Sequence, residues 1–116
     1  MAIKLGHYSF SGPFTSIDEI KDKSGVYAMV CILEGEYFLL DLGESLKLRT
    51  RIENHDKKDC WTKHCNGKLR IYAHYTPFLK QKGRILIEQE LRELFHPEFK
   101  VDKRIGFHQG IYFNYE

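Results

Sequence analysis

The longest uninterrupted apolar stretch of the chain, at residues 26–33, predicts a β-strand that is buried on both faces. A short turn of glutamate and glycine at 34–36 follows it, and a mostly apolar stretch at 37–42 predicts the returning strand of a hairpin. Residues 68–76 alternate between apolar and polar side chains, which predicts a third strand. Pro77 ends this strand, because proline has no backbone N–H to offer a neighbouring strand.

Two helices are predicted from apolar residues that recur every three or four positions. The first covers about 46–55, where Leu48 and Ile52 form an inner stripe. The second covers 83–95 and ends before Pro97, which cannot continue a helix. The apolar seam of this second helix comprises Ile87, Leu91 and Leu94, widened by Ile85 and Phe95.

The order strand, strand, helix, strand, helix predicts an α/β (α+β) fold, in which helices flank a small, mostly antiparallel three-stranded sheet. Aromatic residues alternate with other residues in the tail at 101–116, and this pattern predicts a C-terminal extra strand at the sheet edge. A chain of 116 residues is long enough for one hydrophobic core, so we expect a single domain over residues 1–116.

The composition is that of an ordered globular protein, with 42% apolar and 14% aromatic residues. The longest apolar run is far too short to span a bilayer, and the N-terminus carries no signal-peptide core. We therefore expect a soluble, cytoplasmic protein that makes no contact with membranes.

The formal net charge is only +2, whereas autonomous DNA-binding modules are usually more basic. Much of the lysine and arginine lies at 47–70 and 80–84, so any nucleic acid would bind through a local patch. Such binding should be modest in affinity and strongly weakened by salt.

The three cysteines are Cys31, Cys60 and Cys65. An odd number without a secretion signal argues against a disulfide framework. Cys31 lies within an apolar strand, so we expect it to be a small core residue.

A second interpretation of the cysteines is a zinc site, because Cys60, His64 and Cys65 cluster in a predicted loop at 56–66. The spacing lacks the usual Cys-x-x-Cys pair, and adjacent ligands such as His64 and Cys65 bind one ion awkwardly. The alternative is a loop whose Cys60 and Trp61 pack against the core.

Four reactive side chains lie on or beside the predicted hairpin and the helix after it. Tyr27 is on the first strand, Asp41 is near the end of the second, and Arg51 and His55 share a helix face because they are four residues apart. A phenol, a carboxylate, a guanidinium and an imidazole suit attack on a phosphodiester, where a proton must be removed and negative charge stabilised.

Structural alternatives for the same residues stay open. Tyr27 could be a half-buried strand tyrosine with a partner for its hydroxyl. Asp41 could be a hydrogen-bonded strand terminus or a structural partner of Arg51, and the face with Arg51 and His55 could simply be solvated.

This order of elements and these residues resemble the GIY-YIG nuclease superfamily. The tripeptide at 25–27 is similar to the first family signature, and the one at 41–43 occupies the place of the second. Residues 44–55 resemble the family's helix with an arginine and then a histidine one turn later, and 87–90 resemble the segment with its metal-binding glutamate. The resemblance covers about 24–97, which would form the core of the domain.

The resemblance implies a role for each matching position. Tyr27 matches the tyrosine implicated in activating the attacking water, and Arg51 matches the arginine that contacts the scissile phosphate. His55 matches a histidine of the active-site hydrogen-bond network. Glu88 matches the sole protein ligand of a divalent metal, usually Mg²⁺, with Mn²⁺ as the alternative ion.

Two features of the sequence weaken this match. Asp41 stands where the second signature tyrosine normally is, and it could bind metal, pair with Arg51, act as a base or mark a lineage with altered activity. Glu88 has Arg84 and Arg92 at four-residue spacing, so ordinary surface salt bridges would also account for it.

The implied function is that of a divalent-metal-dependent endonuclease, a phosphodiester hydrolase whose expected substrate is DNA. The alternative is a catalytically inactive module of the same fold that binds nucleic acid or a protein partner, which Asp41 and the small net charge favour. A cutter of both strands this small would need a homodimer or two successive nicks.

Overall fold

The protein is described by a computed structural model over residues 2–95 and 111–114. The strands are β1 (Ala2–Leu5), β2 (Tyr8–Phe14), β3 (Gly25–Leu33), β4 (Glu36–Ser45), β5 (Lys68–Tyr75) and β6 (Ile111–Asn114). The helices are a 3₁₀ turn (Ile17–Glu19), α1 (Leu48–Glu53), α2 (Lys58–His64) and α3 (Gln81–Phe95). The strands form one antiparallel sheet in the order β4-β3-β5-β2-β1-β6, so the fold is α+β.

The predicted hairpin and third strand are present, and β3 lies between β4 and β5. Its residues alternate between two cores, which explains why the whole strand is apolar. Val26, Ala28 and Val30 pack into the core beneath α3. Tyr27, Met29 and Cys31 pack into a second core with residues of α1 and α2. Helices therefore cover both faces of the sheet at this end.

The hairpin turn at Glu34 and Gly35 has positive φ angles of 51° and 78°. Two such residues form the tight turn whose twist matches that of paired strands, and glycine adopts this conformation at little cost. The pairing of β3 with β4 shifts register between Met29 and Val30, so β4 carries one extra residue just before Asp41. Bulges of this kind change the face to which the following side chains point.

The sheet has six strands, whereas the sequence predicted three strands and one extra strand at the C-terminus. β1 and β2 were missed, because each is short and mixed in polarity and Pro13 interrupts the second. The C-terminal extra strand is found as β6, which pairs with β1 at the edge, while the rest of the predicted 101–116 segment lies outside the described residues. Leu94, predicted to lie in the seam of α3, is half exposed.

The predicted loop at 56–66 contains a helix, α2, and a disulfide joins Cys65 at its end to Cys31 in β3. The expectation of no disulfide was therefore wrong, because the fold brings together cysteines that are 34 residues apart. Trp61 is buried as one interpretation required, whereas Cys60 is exposed. Since Cys65 is bonded to Cys31, it is not a thiolate ligand for zinc.

Candidate active site at the edge of the sheet

A cavity of about 360 Å³ lies beside β4, the edge strand, and all five sequence-predicted site residues line it. These residues are Tyr27, Asp41, Arg51, His55 and Glu88. Tyr27 comes from β3, Arg51 from α1 and Glu88 from α3, which packs on the opposite face of the sheet from α1. Side chains from both faces meet here because no further strand continues the sheet beyond β4 in the described residues.

The ring of Tyr27 lies directly over Gly43, its cross-strand partner. A Cβ atom at Gly43 would lie 2.3 Å from Cε2, Cζ and Oη of this tyrosine, so no larger residue fits there without moving the ring. The residue is 1% exposed. Burial, and then the charge of Asp41, raise the pKa of the phenol well above its ordinary value, so Tyr27 is a neutral phenol at physiological pH.

The prediction that His55 shares a helix face with Arg51 was wrong, because α1 ends at Glu53 and the buried His55 lies beyond it, in a cluster of aromatic rings. Its ring centroid lies 4.5 Å from that of Trp61 and 5.9 Å from that of Tyr27. The backbone N–H of Lys57 donates to Nδ1 at 3.0 Å, which places the proton of the neutral ring on Nε2. Burial, and then the charge of Arg51, lower the pKa of His55. The contact with Asp56 at 3.2 Å is therefore not an ion pair at neutral pH.

The stability of the protein should depend on the protonation of His55. Since its folded-state pKa is lowered, the unfolded chain binds this proton more readily, and the free energy of unfolding should decrease as pH falls below about 6.5. Urea unfolding of the parent and of His55→Gln between neutral and mildly acidic pH measures this effect. The parent should lose stability relative to the variant as pH falls, and parallel curves would contradict the assignment.

Asp41 is buried, being 3% exposed, and both of its carboxylate oxygens accept hydrogen bonds. Its Oδ1 accepts hydrogen bonds from the backbone N–H of Leu42 at 2.9 Å and from Arg92 Nη2 at 3.1 Å. Its Oδ2 accepts from Trp61 Nε1 at 3.1 Å. The charged partner of Asp41 is thus Arg92, and the alternative that paired it with Arg51 was wrong.

Arg92 is the functional-site residue that sequence reasoning missed. Its guanidinium lies between two carboxylates, with Nε 3.0 Å from Glu88 Oε2 and Nη2 bonded to Asp41. Nη2 also donates to the carbonyl oxygen of Leu42 in the edge strand. Burial would lower the pKa of Arg92, but Glu88 and Asp41 outweigh it and raise that pKa. The four-residue spacing from Glu88 was visible in the sequence, but the contact with Asp41 was not.

Comparisons with protein-family models, with curated proteins and with solved structures find no match for this chain. The likeness to the GIY-YIG superfamily therefore remains a resemblance of residues and of their order. None of the helices that the structure describes is long and apolar enough to cross a membrane.

Arg51 is one of two exposed cations that line the cavity, and the other is Lys57. None of the ion pairs among residues 2–95 involves it, so its guanidinium has no carboxylate partner there. Arg51 also lines two neighbouring cavities, of about 640 and 390 Å³. A planar guanidinium at the place where these cavities meet is suited to bidentate contact with a phosphate group.

Glu88 is the carboxylate best placed to hold a cation. Within the described ranges, no group of three or more His, Cys, Asp or Glu side chains could hold a metal. Mg²⁺ is often held by only one or two carboxylates when substrate phosphates and water complete its shell. Glu88 fits such a site, because its Oε2 bonds to Arg92 while Oε1 accepts no hydrogen bond from the described residues.

Proposed function

We propose that this protein is an endonuclease of GIY-YIG type that hydrolyses phosphodiester bonds in nucleic acid, with DNA as the expected substrate. The observation that carries the proposal is the single cavity lined by Tyr27 of β3, Arg51 of α1, His55 just after α1, and Glu88 of α3. These are the positions that match the site residues of the GIY-YIG superfamily in the sequence, and their meeting in one cavity supports that resemblance.

The residues of the cavity would share the chemistry as follows. Arg51 would bind the scissile phosphate and stabilise the charge that grows on it in the transition state. Tyr27 would orient the attacking water; because its phenol is neutral, a proton taken from water must pass to another group, and Asp41 would accept it at Oδ2, which receives a single hydrogen bond. His55, a neutral imidazole whose Nδ1 already accepts from Lys57, would act as a hydrogen-bond donor through Nε2.

A divalent cation held by Glu88 would polarise a phosphate oxygen and stabilise the leaving alkoxide. Arg92 already donates to this carboxylate, so the cation would bind weakly without substrate. Arg92, which pairs with both Glu88 and Asp41, would reduce the repulsion between these two carboxylates and hold them in position.

The second candidate function is an inactive module of the same fold that binds nucleic acid or a protein. The pairing of Asp41 and Glu88 with Arg92 favours it, because both carboxylates then have a purely structural use. A dimer would be required only for cleavage of both strands in one event.

A cleavage assay tests the proposal and separates the two candidates. Supercoiled plasmid and single-stranded DNA are incubated with the protein in Mg²⁺ or Mn²⁺, and with EDTA as the metal-free condition. We expect nicking that requires the metal, and Glu88→Gln should lose it because the amide binds a divalent cation poorly. Glu93→Gln, which changes an exposed carboxylate of the same helix, is the matched control.

Two outcomes would contradict the nuclease proposal. One is the absence of cleavage on every substrate by a protein whose unfolding curve shows it to be folded. The other is equal cleavage by Glu88→Gln and the parent. Binding of DNA without cleavage would support the inactive module.

A further inference from the structure

A second cavity, of about 640 Å³, adjoins the candidate active site and shares Arg51 with it. Leu46, Leu79 and Lys80 are among the residues that line this cavity. Its volume is in the range of cavities that hold small organic ligands. A ligand that occupies it would therefore extend directly to the phosphate-binding position.

Large apolar side chains are exposed at this cavity. Leu46 is 63% exposed, Leu79 is 41% exposed, and Phe78, immediately before Leu79, is 96% exposed. Single exposed apolar residues are common on protein surfaces, but here two of them line one cavity and the third adjoins one of these in the chain, a grouping typical of a binding surface. Phe78 adds an aromatic face, which the other two lack.

The turn that carries Phe78 is held in place from beneath. Arg84, only 4% exposed, donates to the carbonyl oxygen of Leu79 and to Ser24 Oγ, each at 3.0 Å, and pairs with Glu44 at 2.8 Å. The backbone N–H of Thr76 also donates to the carbonyl oxygen of Ser24 at 2.8 Å. The backbone on both sides of Phe78 is thus hydrogen-bonded in place, so a ligand that binds its ring does not have to order the turn.

The charges around the patch point to an anionic occupant. Lys80 and Arg51 line the 640 Å³ cavity, and Lys47 lines the neighbouring one with Arg51. Glu44 is the acidic residue of the cavity, and its charge is matched by Arg84. Cations near an exposed aromatic residue are the combination with which proteins bind single-stranded nucleic acid, with phosphates on the cations and bases on the aromatic ring.

We propose that this surface binds an unpaired nucleotide next to the scissile phosphate, with its base on Phe78 and between Leu46 and Leu79. The substrate class is then nucleic acid with a single-stranded segment, since the bases of an intact duplex are stacked and offer no free face. This inference rests on the proposed function for the identity of the ligand.

Binding of labelled oligonucleotides tests the inference. Fluorescence anisotropy in EDTA compares a mixed-sequence single strand, its blunt duplex, and the duplex with a single-stranded overhang. The parent should bind the single strand and the overhang more tightly than the blunt duplex. Phe78→Ala should weaken binding of the single strand by about 5- to 150-fold, the range for loss of one stacked base. Phe78→Trp should retain it, and Leu86→Ala, an exposed leucine of α3, should match the parent.

The outcomes separate failure of the inference from failure of the proposed function. Equal affinity for all three nucleic acids, or equal effects of Phe78→Ala and Leu86→Ala, would overturn the inference even if the protein cleaves DNA. Selective binding that Phe78→Ala weakens would support the inference even if no substrate is cleaved. If the protein binds none of the three nucleic acids, the inference is overturned, and the patch would then be expected to bind a protein.

Discussion

Arg51→Ala is expected to lower the rate of DNA cleavage by roughly 100- to 1,000-fold, the usual scale for removing one preorganised donor to a developing charge. The effect should be large because no other exposed cation of the described residues lines all three cavities. Single-turnover cleavage at saturating protein measures the chemical step separately from the loss of affinity.

Arg51→Lys and Arg70→Ala are the controls for this prediction. Lysine keeps the charge but cannot form the bidentate contact, so the first variant should be intermediate in rate. Arg70 lies on β5 outside the cavity, and its replacement should leave the rate unchanged. Cleavage by Arg51→Ala at the parental rate would remove this residue from the proposed mechanism.

Asp41→Ala is expected to destabilise the fold by about 2–4 kcal/mol, because it leaves donors without their acceptor in a buried place. The backbone N–H of Leu42 and Trp61 Nε1 would remain buried, whereas the half-exposed Arg92 can recover water. Urea unfolding followed by the fluorescence of Trp61, the single tryptophan of the chain, measures the loss at the site itself.

Asp41→Asn and Asp59→Ala complete this experiment. Asparagine keeps an acceptor oxygen but loses the charge that faces Arg92, so its cost should be smaller than that of alanine. Asp59 is exposed on α2, the helix of Trp61, and its removal should change stability little. If Asp41→Ala is as stable as Asp59→Ala, the hydrogen bonds of this carboxylate do not contribute to folding.

Asp41 stands where the GIY-YIG nucleases that the sequence resembles have their second signature tyrosine. A carboxylate in place of the second signature tyrosine is accommodated by Trp61 and Arg92, which together neutralise and hydrogen-bond it. The position thus has a structural use whether or not the protein is catalytic. Only the cleavage assay distinguishes an altered active site from an inactive one.

Local patterns were sufficient for the elements whose faces are strongly apolar. The run at 26–33 predicts a strand buried on both sides, and β3 packs into a core on each face. The helix predicted at 83–95 is α3, although Leu94 lies outside its buried face. Weak or short patterns were insufficient, and β1, β2 and α2 were missed for this reason.

Tyr27, Asp41 and Arg51 were predictable from the sequence because they follow the hairpin and the helix on which they lie, whereas His55 lies beyond that helix. Their partners were not readable, because periodicity specifies which face of an element a residue occupies and says nothing of the element opposite. Arg92 reaches Asp41 across 51 residues, and Trp61 reaches it across 20. The disulfide of Cys31 likewise spans 34 residues. Such contacts form only when distant segments pack together. The tertiary structure therefore decided that Asp41 is buried, that it pairs with Arg92, and that it accepts a hydrogen bond from the indole of Trp61.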